Sequence, residues 1–211
     1  MEIHAPKPVH TLKDFLLELL TITIGILIAL SLEGVVQWVH HRTLVHEVEA
    51  NLAAEIGENQ HELKTALDSL NKTQAQLMHL LDSIHGLEEN RKNASGLDQS
   101  LNWTIAELHA TSWNTAASTG ALSYMSYPEV KRYTRVYDLQ QKFQDLQARG
   151  FEAAISLYGA TARFSKNPGK ISDTQLDEAE SSVGRALATV DGMRGVAQAL
   201  AADYSELQQH R

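Results

Sequence analysis

Residues 15–39 read FLLELLTITIGILIALSLEGVVQWV, and 17 of these 25 positions are apolar. At a helical rise of about 1.5 Å per residue the segment covers roughly 37 Å, enough to span a hydrocarbon core of about 30 Å with some tilt. Only residues 19–32 of this segment are free of charged side chains. Because this uncharged stretch is short for a membrane span, the alternative interpretation is a buried helix in the core of a soluble protein. A cleaved signal peptide is disfavoured because the apolar character continues to Val39.

The composition of the 211-residue chain excludes several classes of function. It contains no cysteine, so disulfides, thiolate metal sites and cysteine nucleophiles are ruled out. Its 18 Lys and Arg against 26 Asp and Glu give a net charge of -8, which argues against nucleic acid as a partner. Residues 43–211 carry 15 of the basic and 22 of the acidic side chains, so the charge belongs to the part beyond the apolar segment.

That part has helical periodicity from end to end. No proline occurs between Pro8 and Pro128, and leucine and isoleucine recur in steps of three and four between residues 63 and 84, with one interruption at Gln74. We therefore expect one helix to leave the membrane and run to about Glu89, with a slip of its apolar register near residues 57–60.

Three further helices are expected after a polar loop. Their predicted bounds are residues 98–125, 127–164 and 173–209. Capping-box sequences mark the starts of the last two, at Ser126 with Glu129 and at Ser172 with Gln175. The expected fold is all-α: a short tail (1–14), a transmembrane helix (15–39) and an up-down antiparallel four-helix bundle (40–211) that begins as a continuation of the anchor.

Small residues form a ridge along the predicted anchor. Thr21, Gly25 and Ala29 recur every four residues, Glu33 continues their row, and Glu18 lies on a neighbouring face. Such ridges allow close packing of membrane helices, and acids within a span need a partner or a route to water. We expect this face to dock against another membrane helix. The alternative is that both acids reach the headgroups of a slightly thinned bilayer.

Trp38, His40, His41 and Arg42 follow the apolar segment and are typical of a membrane interface. The basic residues Lys7 and Lys13 precede the segment, whereas Arg42 is the first one after it. The positive-inside rule therefore predicts a bacterial inner-membrane protein with a cytoplasmic N-terminus and a periplasmic bundle.

A second candidate site lies in the segment TSWNTAASTGAL. Trp113, Asn114 and Gly120 stand in a stretch of small residues within the predicted second helix. They predict either a tight contact between helices or a small-molecule pocket, with Trp113 as its wall and Asn114 as its polar group.

Two stretches, ITIGILIALSLEGVVQW and TSWNTAASTGALSYM, resemble a family of bacterial single-pass membrane proteins of unknown function. The resemblance rests on the IGILIAL-type anchor and on Trp113, Asn114, Gly120 and Leu122, and it spans roughly residues 15–140. It implies an anchor followed by a helical region, and it implies no activity.

No motif for catalysis or metal binding is found. Glu58 and His61 have the Glu-x-x-His spacing of di-iron bundles, but the nearest echo, Asp82 and His85, lies about 36 Å further along the same helix. A nucleophile elbow, a P-loop and a dinucleotide-binding glycine motif are missing. We therefore expect neither enzymatic activity nor a cofactor or metal.

These patterns predict a non-catalytic single-pass membrane protein. Its partners would be the lipid bilayer and the helices of other membrane proteins, in a hetero-complex or a homo-oligomer that it stabilises as a structural or accessory subunit. The alternative is a membrane-anchored sensory or ligand-binding bundle that works with a partner, since the short N-terminal tail leaves no room for an output domain.

Overall fold

The computed structural model describes residues 12–91, 101, 104–162, 164 and 170–209. Within these residues the chain forms four α-helices and one short 3₁₀-helix, and no β-strand. The all-α prediction is confirmed. Most of the predicted N-terminal tail, residues 1–11, lies outside the described part.

The first helix, α1, runs without a break from Leu12 to Glu89. Its 78 residues correspond to about 117 Å of helix. The predicted continuation of the anchor into the bundle, and its end at Glu89, are both confirmed. The apolar segment, which is long enough to cross a membrane, and one wall of the bundle therefore belong to a single helical rod.

One stripe of α1 is buried from Leu52 onward, in regular steps of three and four. Its members are Leu52, Ile56, Asn59, Leu63, Ala66, Leu70, Thr73, Leu77, Leu80, Ile84 and Leu87. The predicted slip of register near residues 57–60 is wrong, because the polar Asn59 itself occupies the core position and is fully buried. The stripe has the 3.5-residue period that packs helices at a shallow angle.

The two other long helices are α3 (Tyr127–Thr161) and α4 (Asp173–Gln209). Their bounds agree with the predicted 127–164 and 173–209 to within three residues. Both capping boxes form. Glu129 accepts the backbone N–H of Ser126 at 3.1 Å, and Gln175 accepts that of Ser172 at 2.9 Å. These bonds satisfy amides that the first turn of a helix leaves without a partner.

The direction of the helices follows from their cross-links. Asn59 of α1 bonds to Gln140 of α3, and four residues earlier Glu55 bonds to Tyr137, so α1 and α3 run parallel. α4 runs the other way and packs against both of them. The end of the bundle near residue 42 therefore holds the start of α3 and the end of α4.

The predicted second helix, residues 98–125, is wrong for most of its described residues, and residues 98–100 and 102–103 lie outside the described part. Residues 104–110 form neither helix nor strand and are called the strap below. Helix α2 covers only Thr111–Ser118, and a 3₁₀-helix, Ala121–Tyr124, follows it. The structure thus has three long helices, and the described part of the return segment consists of the strap and two short helices where a fourth long helix was expected.

The side chains of the strap alternate between buried and exposed, and its backbone finds hydrogen-bond partners outside itself. Ala106 and Leu108 are buried while Ile105, Glu107 and His109 are exposed, which is the two-residue period of a strand. The strap lies between α1 and α3, whose side-chain amides bond its backbone. A helix, about 10 Å wide, would force these two helices apart.

Substitution of Leu77 by alanine tests this core. Leu77 is fully buried, so its truncation should lower the free energy of unfolding by about 2–5 kcal/mol. Met78 is its neighbour on α1 and is 55% exposed, so Met78→Ala should change stability by less than about 0.5 kcal/mol. Denaturant unfolding in mild detergent, followed by circular dichroism, measures both. Equal losses in the two variants would contradict the assigned stripe.

Candidate functional site

Every side chain of α1 is exposed over residues 12–40, so no other described part of the chain packs on this surface. All five predicted packing residues, Glu18, Thr21, Gly25, Ala29 and Glu33, lie on this surface. A Cβ atom added to Gly25 would meet no atom within 4 Å. These five residues are thus exposed, and no described part of the chain covers them.

Polar side chains in this span are bonded within the helix. The hydroxyls of Thr21, Thr23 and Ser31 donate to the carbonyl four residues earlier at 2.7–2.8 Å. Gln37 donates to the carboxyl group of Glu33 at 3.3 Å. Internal bonding of this kind removes the cost of placing hydroxyls in hydrocarbon, and it ties Glu33 to the turn nearest the bundle.

The predicted interface residues form one aromatic and cationic cluster. The Arg42 guanidinium lies 5.4 Å from the ring centre of Trp38, and the rings of His40 and His41 are 6.1 Å apart. His41 also stacks on Tyr124 of the 3₁₀-helix, with ring centres 3.8 Å apart. Tyr124 was not predicted, because no local pattern relates residues 83 positions apart.

Trp113 makes an inter-helix contact. Its ring stacks on Tyr137 of α3 at 5.2 Å and lies 6.5 Å from Tyr133. Asn114 and Gly120, by contrast, are exposed. Gly120 has a φ of 76° and turns the chain between α2 and the 3₁₀-helix. The three residues therefore do not converge on one pocket, and Gly120 serves the backbone turn.

The most heavily bonded part of the molecule was missed from the sequence. Glu55 of α1 is only 7% exposed and accepts two hydrogen bonds. The Tyr137 hydroxyl donates to it at 2.7 Å, and the backbone N–H of Ser112 donates at 2.8 Å. The N-cap residue of α2, Ala110, has no side chain that can cap the helix. The Glu55 carboxyl group therefore caps the N-terminus of α2 in its stead, by accepting the Ser112 N–H.

One turn further along α1, the three long helices α1, α3 and α4 meet near the backbone of His109. Asn59 exchanges two bonds with this residue, at 2.7 and 2.8 Å, and Gln140 donates to the same carbonyl at 2.7 Å. The Gln140 carbonyl accepts the Tyr204 hydroxyl of α4 at 2.9 Å and the Asn59 amide at 3.2 Å. We call Asn59, Gln140, Tyr204 and the His109 backbone the polar hub.

The rest of the strap is held by two glutamines of α3. Gln147 accepts the Ala106 N–H at 2.8 Å and donates to the Ala106 carbonyl at 3.0 Å. Gln144 donates to the Leu108 carbonyl at 2.8 Å. These side-chain amides bond the strap as the backbone of a neighbouring strand would. The buried N–H and C=O groups of the strap therefore have hydrogen-bond partners although they are shielded from water.

Burial raises the pKa of both buried hydroxyls of this region. For Tyr137, desolvation acts first, and the hydrogen bond and charge of Glu55 add to it. For Tyr204, desolvation again raises the pKa, opposed by a hydrogen bond with Asn59. Both tyrosines therefore stay protonated where they act as donors.

An open cleft of about 490 Å³ lies where α1 enters the bundle. Its polar lining comes from α1 and α3 and consists of His46, Glu49, Glu129, Arg132 and Tyr133. Glu129 is already engaged in the capping box of α3. Within the described ranges no three acidic or histidine side chains stand close enough together to hold a metal ion.

The comparisons with known proteins add no relative. No protein-family model, curated protein or solved structure matches this chain.

Gln140→Leu tests the polar hub. The change removes a donor from the His109 carbonyl and an acceptor from Tyr204, so it should cost about 2–4 kcal/mol of stability. Amide hydrogen exchange should also become faster in the strap. The control, Gln141→Leu, alters an exposed neighbour that bonds only Asp145 among the contacts described, and it should change neither quantity. Unchanged exchange in the Gln140 variant would contradict the hub.

Alkaline pH tests the raised pKa values. The folded state holds the hydroxyl protons of Tyr137 and Tyr204 more tightly than the unfolded chain does. Their contribution to stability is therefore complete below pH about 10 and falls as pH rises, by about 1.4 kcal/mol per pH unit for each tyrosine. Tyr204→Phe should remove roughly half of this slope in unfolding curves measured from pH 8 to 11. Tyr158→Phe, at a 66% exposed position, is the control and should leave the slope intact.

Proposed function

We propose that this chain is a non-catalytic single-pass membrane protein that stabilises a larger membrane assembly as a structural or accessory subunit. One observation carries the proposal. The apolar residues 12–40 are exposed throughout, and the same helix continues without a break into the core of the bundle.

The exposure of this segment favours a membrane over a soluble core. Its most apolar window has a mean hydropathy of 2.4, and none of that window is buried within the protein. The core helix of a soluble protein would instead be covered by its own chain. An apolar surface of this length in water would be far larger than the patches that soluble proteins tolerate, and a lipid environment removes that cost.

The ridge of Thr21, Gly25 and Ala29 supports a helix as the partner. Small side chains let two backbones approach closely, which is the main source of packing energy between helices in lipid. Glu18 and Glu33 flank the ridge, so a partner helix that carries lysine or arginine would neutralise them. The partner is another membrane protein or a second copy of this chain.

The location follows from the charges on either side of the span. Lys7 and Lys13 precede it and Arg42 follows it, which favours a cytoplasmic N-terminus and a periplasmic bundle in a bacterial inner membrane. A reporter fused to each terminus in turn tests the orientation.

A role without catalysis and without a cofactor fits the chemistry of the bundle. Three of its buried polar side chains, Glu55, Asn59 and Gln140, are engaged in hydrogen bonds that hold α2 and the strap. A reactive site needs polar groups that are free to meet a substrate.

The second candidate function is sensing, and the cleft at the entry of α1 favours it. A ligand bound there would contact His46 and Glu49 of the rod and Arg132 of α3. It would therefore act on the one helix that reaches the membrane. Gentle purification of the tagged chain separates the two functions. A stoichiometric membrane partner supports the accessory role, whereas a free chain with a co-purified small molecule supports sensing.

Gly25→Leu with Ala29→Leu tests the docking face. Two bulky side chains on the ridge should break close helix packing, so the complex should shrink to the size of one chain in mild detergent. The matched control places leucine at Thr23 and Ser31, on other faces of the same span, and should keep the complex intact. Size-exclusion chromatography with light scattering measures both. An unchanged complex in the ridge variant would contradict docking through this face.

A further inference from the structure

The 3₁₀-helix and the start of α3 leave two tyrosines uncovered beside the anchor. Tyr124 is 49% exposed, and Tyr127 is 78% exposed, the highest value among the described large apolar side chains. Each has an aromatic ring with a polar tip, which suits a boundary that is apolar on one side and wet on the other.

The contact of Tyr124 with α1 fixes its position along the helix axis, and hence its distance from the proposed membrane. Its ring stacks on His41 at 3.8 Å, and the two planes are 19° apart. His41 lies three residues after Trp38, about 4.5 Å further along the helix. The headgroup layer extends about 5–8 Å beyond the hydrocarbon on each side, so Tyr124 falls within that layer when Trp38 marks its inner edge.

Tyr127 lies slightly higher and on a helix that starts towards the membrane. Tyr137 pairs with Glu55 and Gln140 with Asn59, so the same offset sets Tyr127 beside residues 45–46 of α1, about 10–12 Å above Trp38. Side chains of an α-helix lean towards its N-terminus, which for α3 is the membrane side. A tyrosine in the first turn of α3 therefore leans down to the headgroups.

We propose that Tyr124 and Tyr127 form a second membrane contact, in which the 3₁₀-helix lies in the lipid headgroup layer beside the anchor and the Tyr127 side chain reaches down to that layer from the first turn of α3. The proposal rests on the membrane anchoring proposed above. Lipid is the occupant because this surface continues that of the anchor at the level where the anchor leaves the hydrocarbon. His41 also lies about 160° around α1 from Gly25, so a helix docked on the ridge would stay on the far side of the rod.

The absence of cysteine from the chain allows one fluorescent label at a time. Three exposed serines form a matched set: Ser31 in the anchor, Ser123 in the 3₁₀-helix and Ser156 on α3, about 44 Å beyond Tyr127. Each is changed to cysteine, labelled with an environment-sensitive dye and reconstituted in phosphatidylcholine vesicles. Some of the lipid carries a nitroxide quencher, either on the headgroup or in the middle of the acyl chain.

The label at Ser123 should be quenched by headgroup nitroxide at least about threefold more than the label at Ser156. The label at Ser31 should be quenched chiefly by acyl-chain nitroxide. Tyr127→Ser, made in the Ser123→Cys background, should reduce headgroup quenching by about half, since it removes an interfacial ring without touching the His41 stack. Tyr158→Ser, at an exposed tyrosine far up the same helix, is the control and should have no effect.

The failures are distinguishable. A quenched label at Ser31 with an unquenched label at Ser123 overturns the second contact and leaves the anchoring intact. The same holds if the Ser123 label emits as in an apolar environment but is not quenched, because protein then covers the surface. An unquenched label at Ser31 overturns the anchoring itself and this inference with it.

Discussion

The bundle depends on a pair of hydrogen bonds that Asn59 and Gln140 donate to the backbone carbonyl of His109. α4 packs against both α1 and α3, whereas the strap fills the space between those two helices. An extended segment has no bonds of its own to satisfy its backbone, so its neighbours must provide them. Without the amides of the hub, the strap would leave buried donors and acceptors without partners.

The hub also fixes the register of the long helices. From residue 63 to residue 87 the buried stripe of α1 is almost wholly apolar, and leucines of this spacing would pack nearly as well one heptad away. Asn59, Gln140 and Tyr204 meet their partners only in one alignment. A shift of any helix would bury these groups unpaired, at about 1–3 kcal/mol for each. The apolar stripe therefore provides the stability and the hub provides the uniqueness.

The long helices were predictable from the sequence because their signals are local. The heptad spacing and the capping boxes at Ser126 and Ser172 lie within a few residues of the features they determine. The strap was missed because its amide partners lie 31–50 residues away, although the alternation in Ala106-Glu-Leu-His-Ala110 is the pattern of an extended segment. At the end of the apolar segment, Trp38 and Arg42 were singled out from the sequence and Tyr124 was not, since only the fold brings it to His41.

The continuity of α1 links the orientation of the anchor to that of the bundle. Gly25 and Leu52 are 27 residues apart, about 7.5 turns, so the ridge and the buried stripe lie on opposite sides of the rod. The same relation holds between Ala29 and Ile56. A helix docked on the ridge would thus stand away from α3 and α4 and would meet no steric barrier from the bundle. Tyr124 and Tyr127 lie on the other side of the rod, where the proposed membrane contact would place them over lipid. Docking on one side and lipid contact on the other would together oppose tilting of the rod, and both follow from a single helix that keeps its phase from residue 12 to residue 89.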